Sequence, residues 1–148
     1  MMQSCCFLGH KNCPDRIKAR LFSAIESLII EKQVRRFYVG SQGSFDRFAY
    51  EALCILENHY QIEFYVVLPY LNRPVESPYY DMQKTIFPDL LTKTPARFAI
   101  RKRNSYMIQQ SNYLIAYINT PYSNTYPNLL EGLKRKKEII NLGDFPIN

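Results

Sequence analysis

No apolar run in this chain approaches the roughly 20 residues a membrane span requires, and the 47% hydrophobic content is spread through all 148 residues. A spanning helix is thereby excluded. The N-terminal stretch Met1 to Leu8 lacks both a basic start and a long apolar centre, so it does not read as a secretory signal. A cytoplasmic protein that makes no membrane contact is the expectation. The four cysteines, Cys5, Cys6, Cys13 and Cys54, form no C-x-x-C pair, and in a reducing compartment they read as small buried hydrophobes. Cys6, His10 and Cys13 have no companion cluster elsewhere in the sequence, so no metal is expected, and no cofactor either. Internal repeats, low-complexity tracts and linkers are all lacking. A single domain, residues 1–148, follows from that and from the length. There is no Gly-Lys-Ser/Thr ending after any glycine turn, which excludes a P-loop.

What is present alternates between short apolar runs and amphipathic stretches. Cys5 to Leu8 is an apolar run closed by Gly9. Residues 14–32 then place Ile17, Leu21, Ala24, Ile25, Leu28 and Ile29 on one helical face, with Pro14 and Asp15 suited to its first turn. Phe37 to Val39 forms a second run, ended by Gly40. It is followed by turn residues and a helix whose inner face is Phe48, Ala49, Ala52, Leu53 and Leu56. Phe64 to Leu68 is β-branched and aromatic, as a strand should be. Residues 70–95 break the rhythm with Pro74, Pro78, Pro88 and Pro95 and read as a lid or binding loop interrupted by a short helix. A helix over 96–110, a strand over 113–118, a helix over 128–137 with Leu129, Leu130 and Leu133 inward, and a strand over 138–142 complete the order.

Strands with little polar alternation are buried on both faces, and helices between them imply right-handed parallel crossovers. The expected fold is therefore a Rossmann-like α/β three-layer sandwich with a mainly parallel sheet of about five strands. Sheet edges need covering, which leaves association into homo-oligomers open.

In such sheets ligands bind beyond the carboxyl ends of the strands. Those ends carry Gly9-His10, Gly40-Ser41-Gln42-Gly43 and the segment from Asn119 through Ser123-Asn124. Glycine is scarce, with five in the chain, yet Gly9, Gly40 and Gly43 all fall at these turns. Gly40 and Gly43 either permit a tight turn or let amides and the following helix end hold a phosphate. On this reading Gly43→Val would block an anion site without unfolding the chain. Asp46 is either a carboxylate favoured by the helix dipole or an acceptor for a sugar hydroxyl or ring amine. His10 is a turn residue, a phosphate ligand or a proton carrier. Arg97 and Arg101 share a face, whereas Arg103 points elsewhere and, with Asn104, is expected at the crevice, where a guanidinium forks onto phosphate. The net charge of +6 favours anionic partners. The basic run Lys134 to Lys137 reads as a solvated helix face.

The order Gly9-His10, Tyr38-Val39-Gly40 leading to Gly43 and Phe45-Asp46, then Arg103-Asn104 with Met107-Ile108 and Ser111-Asn112, resembles the SLOG superfamily. That superfamily unites the LOG-type phosphoribohydrolases, the DNA-processing protein A fold and many small bacterial proteins, and the last group is the nearest. The resemblance implies binding of a nucleotide or nucleotide-derived ligand at the strand ends, as a sensor or accessory domain. In the LOG-type enzymes an arginine before the fourth strand and a glutamate after a Pro-Gly-Gly-x-Gly-Thr loop support cleavage of an N-glycosidic bond. Arg103 matches that arginine, and Glu131 is the nearest glutamate, several residues late. The loop here, Thr120 to Pro127, contains no glycine. The alternatives are thus a nucleoside-monophosphate hydrolase using Arg103 and Glu131 or Asp46, and a single-stranded nucleic-acid binder stacking bases on Tyr79, Tyr80 or Tyr106.

Overall fold

The computed structural model describes residues 2–71 and 81–147. Six strands, β1 (Gln3–Gly9), β2 (Val34–Val39), β3 (Glu63–Val67), β4 (Thr85–Ile86), β5 (Tyr113–Tyr117) and β6 (Glu138–Asn141), pair in the order β4-β3-β2-β1-β5-β6, all in parallel. Four α-helices connect them: α1 (Ile17–Lys32), α2 (Gly43–Leu56), α3 (Ala96–Gln110) and α4 (Tyr126–Lys134). Alternation along β1 divides the core. Cys5 and Phe7 pack with Ile17, Leu21 and Phe45 of α1 and α2, while Cys6 and Leu8 pack with Met107 and Ile108 of α3. Ala116, Ile118 and Leu129 make a smaller cluster under α4. The result is the three-layer Rossmann-like sandwich expected. No described helix is long and apolar enough to cross a membrane.

The chain winds from β1 outward to β4, then returns to lay β5 against the other side of β1. Strand order therefore reverses between β1 and β5, and a crevice opens where the flanking loops diverge.

Four expectations need correction. The sheet has six strands because Thr85–Ile86, two residues long, pairs with Val66 and Val67. That pairing lies inside the stretch read as a loop, between 3-10 turns at Met82–Lys84 and Asp89–Lys93. Pro74, Pro78, Tyr79 and Tyr80 lie outside the described residues. Second, α1 starts at Ile17: Pro14 and Asp15 form a preceding turn whose carbonyls accept from the Ile17 and Lys18 amides. Third, α4 turns Leu129 inward but leaves Leu130 and Leu133 48% and 43% exposed. Its buried positions are Asn128, Leu129 and Gly132. A Cβ on Gly132 would stand 2.7 Å from Leu114 Cδ2, so a bare backbone there lets the helix lie close to β5. Fourth, the helix ends at Lys134, and Lys136 takes a left-handed φ of 58°. The basic run is therefore a helix terminus, favoured by the negative dipole end, rather than a helix face.

Gly43 has φ +88°, and a Cβ there would lie 2.5 Å from the Lys11 carbonyl oxygen. That carbonyl accepts from the Ser44 amide at 2.8 Å, and Ser44 Oγ accepts from the Cys13 amide at 2.6 Å. The glycine thus locks the loop after β1 onto the start of α2. Gly43→Ala should lose about 2 kcal/mol, the scale of a non-glycine residue forced into left-handed backbone. A lower urea midpoint at unchanged slope would show this, and an unshifted midpoint would contradict it.

Candidate functional site

The crevice at the strand-order reversal is a pocket of about 340 Å³. Gly9, His10 and Lys11 reach it from the end of β1, and Gln42 and Asp46 from the start of α2. Ile100, Arg103 and Asn104 line it from α3. Asn124, Thr125 and Asn128 close it from the loop after β5 and the first turn of α4. Thr125 Oγ1 donates to the Gly9 carbonyl at 3.2 Å, fastening that loop to β1.

Arg103 is placed in the wall with 2% of its surface exposed. Its Nη1 donates to the Val67 carbonyl at 2.9 Å and weakly to Ser41 Oγ at 3.5 Å, and its Nε donates to Asn104 Oδ1 at 2.8 Å. The guanidinium is therefore held by β3, the β2 turn and its own neighbour. This differs from the open phosphate fork expected of it, and Arg103 organises the wall. Gly40 sits directly beneath: a Cβ there would lie 2.6 Å from Asp46 Oδ2 and 3.2 Å from Arg103 Cζ.

Asp46 is 7% exposed, and its Oδ2 accepts from the Gln42 amide at 2.9 Å. Burial pushes its carboxyl up from 3.8 to about 6, against the opposing pull of the Arg103 charge and the Gln42 N–H. The folded chain therefore holds a proton on Asp46 more tightly than the unfolded chain does. The stability this confers is full below pH 3.8 and is lost as pH rises through about 6. The difference is roughly 3 kcal/mol, taking about 1.4 kcal/mol per pH unit over that interval. Asp46→Asn should flatten this part of the stability–pH curve, measured by urea unfolding from pH 4 to 7. A variant that keeps the full slope would place its origin elsewhere.

His10 receives the Asn119 amide on Nε2 at 2.9 Å, and its ring packs edge-on to Tyr117 at 5.4 Å between centroids. With Nε2 accepting, the neutral ring carries its proton on Nδ1. Burial lowers its pKa. His10 is thus a neutral ring fixed between the β1 and β5 loops, and Nε2 is not available as a base.

Five residues expected at the site lie behind or outside the described lining. Gly40 and Ser41 support Arg103 from below. Gly43 is filled by the Lys11 backbone, and the Gln42 and Ser44 amides already donate to Asp46 and Lys11, so the anticipated anion turn is closed by the protein itself. Ser123 has a buried hydroxyl with no hydrogen-bond partner among the described residues. Glu131 accepts from Ser105 Oγ at 2.7 Å and Arg135 Nε at 2.9 Å, tying α3 to α4 outside the pocket. A catalytic carboxylate at Glu131 does not fit that placement. Asp46 is the one carboxylate among the described lining residues.

The sequence reading missed Phe7, Leu8, Lys11, Ile100, Thr125 and Asn128. Asn128 had a legible signal. It stands four residues before Gly132 on the inward face of α4, where an apolar residue would be expected. Among the tyrosines expected to stack on bases, Tyr106 instead packs edge-on to Tyr38 at 6.4 Å, on the sheet's α3 side.

No protein-family model matches the sequence, and no curated protein matches it. Two solved structures share the fold at 13% identity. One is DNA processing protein A from Streptococcus pneumoniae, with TM-score 0.70 over 95% of this chain and 50% of that one. The other is the molybdenum cofactor carrier protein from Chlamydomonas reinhardtii, with TM-score 0.61 over 94% of this chain and 76% of that one. This chain spans half the length of the first. Its architecture is the Rossmann-like fold that these two structures share, as the sequence motifs led one to expect.

Proposed function

We propose that the protein binds a nucleotide or nucleotide-derived ligand of mononucleotide size at the β1–β5 switch point and does not turn it over. The observation that carries this reading is the 340 Å³ crevice into which side chains from four elements converge. Ligand pockets span about 300–1,000 Å³, so this one suits a compact ligand. The described lining supports holding better than cleavage. Its carboxylate is already bonded to an amide beside a buried guanidinium, and Glu131 lies elsewhere. Of the two structural neighbours, one is described as carrying a cofactor and the other as processing DNA. Both descriptions are compatible with a strand-end site for phosphorylated heterocycles.

Nucleic acid is the second reading. It is favoured by exposed Arg97, Arg101, Lys102 and Phe98 on α3, beside the pocket mouth. A thermal-shift series with nucleoside mono- and diphosphates, ADP-ribose and an oligothymidylate, with chromatography of every hit, tests both. Stabilisation by a small nucleotide recovered intact is the expected result. Release of free base would restore a hydrolase. Stabilisation by the oligonucleotide alone would move the function to α3.

A further inference from the structure

Asn128 is buried, with 6% of its surface exposed, yet its side chain lines the pocket and has no hydrogen-bond partner among the described residues. Its amide atoms are not enclosed by the protein, so they face the pocket and are free to meet a ligand's donors and acceptors. Asn104, which lines the same pocket from α3, is held differently. Its Oδ1 accepts from Arg103 Nε, and because a guanidinium can only donate, this fixes which end of the amide is the oxygen. The Asn104 NH2 group is thereby the end left for a ligand. The inner pocket thus presents a donor from Asn104 and both a donor and an acceptor from Asn128.

We propose that Asn104 and Asn128 read the donor–acceptor edge of an uncharged nitrogen heterocycle at the inner end of the pocket, with the ligand's phosphate directed outward to Lys11. This deepens the ligand-binding reading above and rests on it. Phosphate oxygens only accept, so the Asn128 carbonyl would oppose them. A dianion is also costly to desolvate beside Asp46, where the Arg103 Nη1 and Nε donors already serve Val67, Ser41 and Asn104. Lys11 is exposed at the rim, where a phosphate keeps most of its water. Ile100, also in the lining, offers an apolar surface to the face of a planar ring, which a bare sugar phosphate would not use. A site built to pair donor with acceptor rejects a ligand that lacks them, because its own buried groups are then left unpaired.

Titration calorimetry of the full chain with AMP, GMP, CMP, UMP and ribose 5-phosphate tests this, alongside Asn128→Leu and Asn128→Asp. The unaltered protein should prefer one base over the other three, and over ribose 5-phosphate, by about tenfold or more, the scale of one well-made hydrogen bond. Asn128→Leu removes no protein hydrogen bond, so it should stay folded by thermal melting. It should lose about tenfold for the preferred nucleotide and leave ribose 5-phosphate unchanged. Asn128→Asp, which retains the shape and loses the donor, should lose the same preference. Base-independent binding, or an equal loss for ribose 5-phosphate, would overturn the assignment and leave the pocket reading standing. No binding of any compound to the unaltered protein would overturn both.

Discussion

Gly40→Val should abolish ligand binding and destabilise the fold by about 3 kcal/mol or more, the upper range for overpacking a closed interior. The added Cβ alone would stand 2.6 Å from Asp46 Oδ2. That carboxylate cannot retreat without losing the Gln42 amide at 2.9 Å, and Gln42 is itself a wall of the pocket. On the other side the Cβ meets Arg103 Cζ at 3.2 Å, and the guanidinium is bonded to the Val67 carbonyl. Either retreat deforms the crevice where β1, β2 and α3 meet. Urea unfolding and a ligand thermal shift read the two effects separately. A variant with an unshifted midpoint and intact binding would show that the Asp46–Arg103 arrangement is looser than described.

Arg103→Met should be comparably severe. Removing a buried donor so that its acceptors are left unpaired costs about 1–3 kcal/mol for each such group. Here it would leave Asp46 without its compensating charge and the Val67 carbonyl and Asn104 Oδ1 without their donor. Asp46 would then stay protonated to higher pH, since burial already raises it and the Arg103 pull would be gone. The double variant Arg103→Met with Asp46→Asn should recover part of the loss, with a coupling of about 1 kcal/mol between groups whose charges act on one another. Strictly additive losses would deny the electrostatic link. Arg103→Lys should chiefly lower the melting temperature. A loss confined to ligand affinity would instead restore the phosphate fork expected from the sequence.

The fold was legible because each strand run is apolar on both faces and each helix repeats near every fourth residue. Residues 96–110 were bounded correctly from that pattern, and all five residues assigned to the inner face of α2 are buried. Thr85–Ile86 was not legible, since two residues carry no period. In α4, three leucines outweighed Asn128 and Gly132 in the hydrophobic pattern, although close packing on Leu114 turned the small and polar residues inward.

At the site, the sequence located the strand ends and named most of the lining. It could not distinguish residues that face the ligand from residues that hold the wall. Arg103, Gly40 and Ser41 are close neighbours for reasons internal to the protein, and Gly43 answers to the Lys11 backbone across 32 positions of sequence. Such long-range pairings have no local signature. Nor does the Asn119 amide that fixes the protonation of His10.

The most direct test of the ligand site is a titration of the 15N-labelled chain with a nucleoside monophosphate, following backbone and carboxamide resonances. Saturable shifts should cluster at Gly9 to Lys11, Gln42, Asn104 and Asn124 to Asn128, with the side-chain NH2 signals of Asn104 and Asn128 among the largest. Shifts confined to the exposed side of α3 at Arg97, Phe98 and Arg101, or no saturable shift at all, would contradict a nucleotide site at the strand-order reversal.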